Sequence, residues 1–177
     1  MTSNTNSRKI DDKTLRKVFW RSIPMEFTWN YERMMNLGYC YAMLPVLKKL
    51  YPKKEELSDA MIRHLEFYNT TPFIITLPLG ISAAMEEKRS EDIDEFDTQS
   101  ISTVKTAMMG PLAGIGDSFF WGTLRILATG VGTSLALQGN ILGPILYLLI
   151  YNVPHFILRY VFTFMGYKLG TDFLTKV

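Results

Sequence analysis

The chain has 177 residues, enough for one domain with a sizeable hydrophobic core. Its formal net charge of +2 is too small for a nucleic-acid-binding surface, so we expect no DNA or RNA partner. One cysteine, Cys40, rules out an internal disulfide framework, and two distant histidines do not form a metal-binding cluster.

The charged residues are distributed unevenly along the chain. Of the 36 Asp, Glu, Lys and Arg residues, 30 precede Ala107. We therefore expect a single unit in which residues 1–106 form a mainly polar helical part and residues 107–177 form a membrane-embedded part. Residues 1–9 are polar and no apolar stretch follows them, so we expect no cleaved secretory signal and a cytoplasmic amino terminus.

Residues 12–22 have the pattern of a short amphipathic helix. Leu15, Val18 and Phe19 recur at helical spacing, Asp11 or Asp12 is available as the cap, and basic residues with Trp20 occupy the opposite face. Two interpretations remain open: the helix lies on an anionic membrane surface, or it is a solvated helix that packs on its own domain.

The next two segments are predicted to be helical. Residues 27–50 are rich in Met, Tyr and Leu and should be buried. A second helix begins near Pro52 and ends around Asn69, because Pro72 steers the residue before it away from helical geometry. His64 lies on the apolar stripe of this helix, which favours a buried histidine over a phosphate carrier.

Residues 73–85 are apolar but too few to cross a membrane as a straight helix, so they form a partial span or a core helix. Residues 86–97 are predicted to be a hydrophilic, mostly acidic connection. A helix capped by Thr98 or Ser100 should follow and end at the Gly110-Pro111 pair.

The 33 residues from 126 to 158 carry no charge. Residues 126–137 are too few to span and predict a re-entrant piece, whereas residues 141–158 could just span with an axis bent at Pro154. The predicted fold class is an all-α membrane protein, in which amphipathic cytoplasmic or interfacial helices precede broken, partly re-entrant apolar helices.

Three segments carry a resemblance to a known family. They are residues 20–51 (WRSIPMEFTWNYERMMNLGYCYAMLPVLKKLY), residues 64–74 (HLEFYNTTPFI) and residues 109–125 (MGPLAGIGDSFFWGTLR). From about Leu15 onward, the chain resembles the IID component of mannose-type bacterial phosphotransferase systems. The third segment is long and unusual enough to make the resemblance specific.

The resemblance implies a permease subunit of the bacterial cytoplasmic membrane with no catalytic site, cofactor or metal of its own. Together with a IIC membrane subunit it would bind a hexose and carry it inward, while cytoplasmic IIA and IIB subunits supply phosphate. The alternative is a membrane scaffold or receptor without sugar contacts of its own, since relatives also serve as docking points for peptide bacteriocins and phage.

Two departures from the family pattern accompany the resemblance. Relatives usually continue well beyond Val177, so a carboxy-terminal family segment is expected to be missing here. Ser118 and Ile126 stand where related sequences often have proline, which implies a less rigid local backbone.

Sugar sites combine carboxylates and amides, which bind hydroxyl groups, with aromatic faces that stack on the ring. Six residues have that chemistry and are the predicted substrate-binding set: Trp29, Asn30, Glu32, Asn69, Asp117 and Trp121. Structural alternatives remain open for several of them. Asn30 or Glu32 could pair with Arg33 or a helix end, and Asp117 could cap a helix or pair with Arg125 or a partner subunit.

The glycines of the third segment do not form a nucleotide site. Gly114-Ile115-Gly116 lacks the lysine and hydroxyl of a phosphate-binding loop and the third glycine of a dinucleotide fingerprint. His155, in the apolar tail, has no ligand-spaced partner and is expected to be structural.

Overall fold

The computed structural model describes residues 10–93 and 95–174, and in that part of the chain every regular element is a helix. The expectations about residues 1–9 lie outside the described residues. The predicted all-α class is confirmed. The helices are α1 Asp12–Ser22, α2 Asn36–Leu50, α3 Lys54–His64, α4 Thr76–Glu91, α5 Gln99–Gly116, α6 Arg125–Leu137 and α7 Leu142–Leu174, with a 3-10 turn at Ile23–Thr28 and a π-helical segment at Asp117–Leu124.

Helix α1 has the predicted bounds and the predicted cap. The Asp11 side chain accepts the backbone N–H of Thr14 at 3.0 Å, which satisfies one of the free amides of the first turn. Hydrogen bonds from Thr14 also hold the pKa of Asp11 below its usual value. Leu15 and Val18 are buried in the main core, which α1 to α4 share.

Helix α4 decides between the alternatives for residues 73–85. It is a core helix: Leu79, Ala83 and Ala84 are buried, and the helix runs on to Glu91. The prediction of a hydrophilic connection beginning at residue 86 is therefore wrong for its first half, because Glu86 and Glu87 are buried helical residues with hydrogen-bond partners. The exposed connection begins at Asp92.

The break predicted at Gly110-Pro111 is also wrong. Helix α5 continues through it, and the backbone keeps right-handed helical angles at Gly116, Asp117 and Leu124, so α5, the π-helical segment and α6 form one continuous helix. Gly110 has no Cβ to collide with the proline ring, which removes much of the usual objection to a helical residue before proline. Residues 126–137 are the last part of this helix.

Helix α7 is one 33-residue helix that includes Pro144 and Pro154. Of the described residues, it is the one helix long and apolar enough to cross a membrane, and only 6% of its most apolar 18-residue window is buried inside the chain. The turn before it places Gly139 at φ 72°, a left-handed conformation that glycine adopts without strain.

Helices α4 and α7 cross at very short range because glycine occupies the contact. A Cβ added to Gly80 would lie 2.5 Å from the carbonyl oxygen of Thr163, and one added to Gly170 would lie 2.7 Å from the Cβ of Ala84. A Cβ on Gly166 would collide with the backbone of Leu77. Small residues at such crossings let two backbones approach, as in membrane helix pairs.

Replacing Gly166 with alanine should therefore force α4 and α7 apart. We expect a loss of about 2–3 kcal/mol in the free energy of unfolding, measured by denaturation of the detergent-solubilised protein. Gly114→Ala is the matched control, because an added Cβ there meets nothing within 4 Å. If both variants unfold like the unchanged protein, the close crossing is not a stabilising contact.

Candidate functional site

Residues 65–75 connect α3 to α4, and residues 65–73 of this connection are called the central segment below. Its residues hydrogen-bond or pack against the loop before α2, against α5 and the π-helical segment, and against α7. All six predicted site residues lie in this segment or on the elements that it contacts: Asn69 lies in the segment, Trp29, Asn30 and Glu32 lie on the loop before α2, and Asp117 and Trp121 lie in the π-helical segment.

At its beginning, the central segment holds the loop that carries Asn30. The Asn30 backbone exchanges two hydrogen bonds with Met34, of 3.0 and 2.9 Å, and Met34 has the unusual positive φ of 56°. The Asn30 side chain donates to Asn36 at 2.9 Å and accepts from the N–H of Arg33 at 2.8 Å. Asn36 in turn donates to the carbonyl oxygen of Leu65. The amide of Asn30 is thus occupied in shaping this loop.

Glu32 and Trp29 lie on the exposed side of the same loop. The Glu32 side chain is 81% exposed and pairs with Arg33 at 3.4 Å, which is the structural alternative named for it above. Trp29 packs edge-on against Tyr31. Asn30, Glu32 and Leu65 help to line an open cleft of about 580 Å³, within the size range of ligand pockets.

The middle of the central segment binds α5. The Asn69 side chain is exposed, while its backbone N–H points at the sulfur of Met109, and the Thr70 hydroxyl donates to the Met109 carbonyl at 3.3 Å. The Thr71 hydroxyl donates to Asp117 at 2.6 Å, and the absence of a side chain at Gly116 makes room for Thr71.

Asp117 is therefore not a helix cap. Its backbone is helical, inside the continuous helix, so no free amides of a helix start lie in front of it. Arg125 is not its counter-ion within the described residues, because the Arg125 guanidinium lies over the Trp121 ring, 5.1 Å from the ring centre. The exposed carboxylate keeps one oxygen free of any hydrogen bond to the described residues.

The central segment ends in an aromatic cluster formed by Phe73, Phe120, Trp121 and His155. The Phe73 ring lies 4.4 Å from Phe120, 5.5 Å from Trp121 and 4.7 Å from His155, measured between ring centres. Trp121 is 41% exposed, so one part of its ring packs in this cluster and another part is open. Asp117 and Trp121 both lie in the π-helical segment, an irregularity often found at functional sites.

Arg159 anchors α7 to the central segment. Its side chain is buried and donates to the carbonyl oxygens of Ser22, at 2.8 Å, and of Pro72. The hydroxyl of Thr76 donates to the Arg159 carbonyl at 2.7 Å. A buried guanidinium is tolerated because carbonyl oxygens accept hydrogen bonds from it.

A second polar cluster, around Glu86, lies inside the helical part formed by α2, α3 and α4. Arg63 donates to both carboxylate oxygens of Glu86, at 2.6 and 2.7 Å, and Tyr51 donates to one of them at 2.6 Å. The fully buried His64 lies 2.8 Å from Glu86 through Nε2. Its Nδ1 is buried and has no hydrogen-bond partner among the described residues. The prediction of a buried His64 is confirmed.

The charges of this cluster follow from its geometry. Burial raises the pKa of Glu86, but the hydrogen bonds from Arg63 and His64 outweigh burial and bring the pKa to about 2. Burial lowers the pKa of His64, so the imidazole is neutral, and its Nε2–H donates a hydrogen bond to the carboxylate. The cluster is thus one ion pair, Arg63 with Glu86, supported by a neutral histidine and a tyrosine.

Some important residues were not among the predicted set. Thr71 and Phe73 position Asp117 and Trp121, yet the sequence marked them only as neighbours of Pro72. Arg159 stood out as the first charge after a long uncharged run, which could have indicated a buried anchor. Nothing in the local sequence connected Arg63 with Glu86, because 23 residues separate them.

Removing the carboxylate of Glu86 should leave the half-buried Arg63 without its counter-ion. We expect Glu86→Leu to lower the free energy of unfolding by about 3–5 kcal/mol. The double variant Arg63→Met with Glu86→Leu should lose less than the sum of the two single variants, since it leaves no unpaired charge. Additive losses in denaturation experiments would contradict the ion pair.

His64 predicts a dependence of stability on pH. The pKa of His64 in the folded chain lies below the ordinary 6.5. As the pH falls, the unfolded chain therefore binds the proton before the folded chain does, and stability should fall below about pH 6.5. His64→Gln should flatten this fall between pH 6.5 and 5. In that variant, the contribution of the ionised Glu86 to stability should persist until the pH drops below 4.5, the ordinary pKa of the carboxyl group. Thermal unfolding of both proteins across this pH range checks the prediction.

Comparison with known proteins places the chain in a family. Residues 9–177 match the family described as the PTS system mannose/fructose/sorbose family IID component. The mannose-specific EIID component of Escherichia coli K12 is 40% identical over 172 residues, 97% of this chain and 60% of that protein. The sorbose-specific EIID component of Klebsiella pneumoniae is 40% identical over 96% of this chain and 62% of its own. The fructose permease IID component of Bacillus subtilis is 38% identical over 94% of this chain and 60% of its own.

Solved structures agree with these sequence relationships. A cryo-EM structure of the mannose transporter ManYZ with microcin E492 contains a chain of 39% identity that superposes with a TM-score of 0.92, over 96% of this chain and 62% of that one. A second structure, described as a membrane protein, gives a TM-score of 0.87 at 40% identity, over 95% of this chain and 62% of that one. This chain therefore spans about 60% of the length of the curated relatives that it matches. It belongs to the mannose/fructose/sorbose family of PTS IID components, and it is a membrane protein.

Proposed function

We propose that the chain is a permease subunit that, with a IIC partner, binds a hexose and carries it across the bacterial cytoplasmic membrane, while IIA and IIB subunits phosphorylate the sugar. Family membership over residues 9–177 carries this proposal. Relatives named for mannose, sorbose and fructose support a hexose as the substrate class.

The subunit is proposed to be non-catalytic. A phosphate relay would use the imidazole of His64. The environment of His64 supports a non-catalytic role, because its side chain is fully buried and its Nε2 is hydrogen-bonded to Glu86. Both ring nitrogens are shielded from a phosphoryl donor, Nε2 by its hydrogen bond to Glu86 and Nδ1 by burial. The phosphate chemistry is therefore assigned to the cytoplasmic subunits.

Asn69, Asp117 and Trp121 are the proposed sugar-contacting group. The exposed Asp117 carboxylate can accept sugar hydroxyls, the open part of the Trp121 ring can stack on an apolar sugar face, and the exposed Asn69 amide adds a donor and an acceptor. Trp29, Asn30 and Glu32 are proposed to form the outer part of the path, with Asn30 setting the loop shape.

The amino-terminal part is proposed to face the cytoplasm. Of the 19 Lys and Arg residues, 15 precede Ala107, and cytoplasmic segments of membrane proteins are enriched in these residues. The two-part division at residues 106 and 107 remains a proposal; helix α5 crosses this boundary without a break.

The function is tested by hexose uptake in bacterial cells that lack their own IID subunit and produce this chain with its IIC, IIA and IIB partners. His64→Gln should retain most of the uptake, and the chain should incorporate no labelled phosphate, because His64 carries none. Phosphate on this chain, or loss of uptake in His64→Gln at unchanged protein level, would contradict the non-catalytic role.

In the same assay, Asp117→Asn and Trp121→Ala should raise the half-saturating sugar concentration about tenfold or more, since each removes a sugar contact. Asp59→Asn is the control for Asp117, because this exposed carboxylate lies on α3. Unchanged uptake in both site variants would remove these residues from the site without affecting the subunit assignment.

The alternative is a scaffold or receptor subunit without sugar contacts. One observation favours it: a similar chain occurs in a structure of a mannose transporter with a microcin. Variants of exposed residues that lose toxin sensitivity while they retain uptake would identify a separate receptor surface on a transporting subunit. If no residue of this chain affects sugar affinity, the scaffold role is the better description.

A further inference from the structure

Helix α1 has an outer face that none of the described residues covers. Its inner face, with Leu15, Val18 and Phe19, is buried, whereas Lys13, Arg16, Lys17 and Trp20 are exposed. These four residues recur at spacings of three and four, so they form one continuous stripe, called the basic face here. Trp20 is 66% exposed, which is unusual for so large an apolar ring.

The basic face has no partner for its positive charge among the described residues. No carboxylate lies within 4 Å of the side-chain nitrogens of Lys13, Arg16 or Lys17 in that part of the chain. Of the two acidic residues at the start of α1, Asp11 accepts from Thr14 and pairs with Lys49 at 3.2 Å. Asp12 is exposed and offsets only one of the charges.

The position of α1 on α7 relates this face to the membrane. The end of α1 lies where the uncharged stretch of residues 126–158 stops: Phe19 packs on Tyr160 at 5.3 Å, and Arg159 donates to the Ser22 carbonyl. The start of α1 lies farther along α7, because Ile10 donates to Glu87, the residue that also accepts from Tyr167. The last turns of α1 therefore lie at the edge of the apolar part of α7.

This edge is where a membrane presents its headgroups. Tryptophan is enriched there because its ring is apolar with one polar N–H, and lysine and arginine are attracted to the phosphates of anionic lipids. The residues of α7 on either side of Tyr160, the ring that Phe19 contacts, include the exposed apolar side chains Phe156, Ile157 and Val161. A water-soluble acidic protein would match the charges but would not account for Trp20 beside this lipid-facing surface.

We propose that the basic face binds anionic phospholipid headgroups, with Trp20 at headgroup level and Arg16 and Lys17 on the lipid phosphates. This site makes anionic lipid a structural ligand that fixes α1 against α7. It depends on the chain being a membrane protein and not on sugar transport, so it can fail while the transport proposal stands.

The purified full chain, in nanodiscs of phosphatidylglycerol or of phosphatidylcholine, tests the proposal by thermal unfolding. Phosphatidylglycerol should raise Tm by about 5 °C over phosphatidylcholine, because a ligand that binds only the folded chain stabilises it. The double variant Arg16→Gln with Lys17→Gln should lose more than half of this rise. Lys54→Gln with Lys88→Gln removes the same charge from two exposed lysines outside α1 and should retain it.

Tryptophan fluorescence gives a second readout. Brominated phosphatidylglycerol should quench the unchanged protein more strongly than Trp20→Phe, in which the other two tryptophans remain. Equal Tm values in the two lipids, or a full rise in the Arg16/Lys17 variant, would overturn the proposal. An equal rise in Tm when inorganic phosphate is added to the protein in phosphatidylcholine would also overturn it. The same holds if the Arg16/Lys17 variant loses a bound partner protein while its response to lipid is unchanged.

Discussion

The backbones of α4 and α7 pack directly against each other, and the other helices are positioned around this crossing. Gly80 on α4, with Gly166 and Gly170 on α7, lets the helix most suited to a membrane lie directly against a core helix of the polar part. The next turn of α4 carries Glu86 and Glu87, which bind α3 and α1. One glycine-lined crossing therefore joins the membrane helix to the charged amino-terminal helices as a single packed body.

The central segment uses this frame to bring distant parts of the chain together. It has no regular secondary structure along most of its length, so its polar groups need partners on other elements, and they find them on the loop before α2, on α5 and on α7. Asn69 lies in the segment itself, while Thr71 and Phe73 contact Asp117 and Trp121. The proposed sugar site therefore lies partly on this segment and partly on the continuous helix that the segment contacts.

The polar groups divide into two kinds with different consequences. In the Arg63–Glu86 pair the carboxylate is fully buried and the guanidinium partly buried, and two hydrogen bonds join them, so the pair holds α3 and α4 together. Asp117, Trp121 and the basic face of α1 keep charge or aromatic surface exposed, and exposed chemistry of this kind is available for a ligand or a lipid. Burial separates structural from functional candidates better than residue type does.

Helical periodicity in the sequence predicted α1, with Asp11 or Asp12 as its cap, and the buried position of His64. The uneven charge and the long uncharged run predicted the apolar rear portion. These are local properties of spacing and composition. The continuous helix through Gly110-Pro111, the burial of Glu86, the Thr71–Asp117 hydrogen bond and the anchoring of Arg159 were decided only by tertiary structure. Considered alone, a proline favours a helix break and a charged residue favours the surface. Contacts with residues far along the chain reverse these preferences.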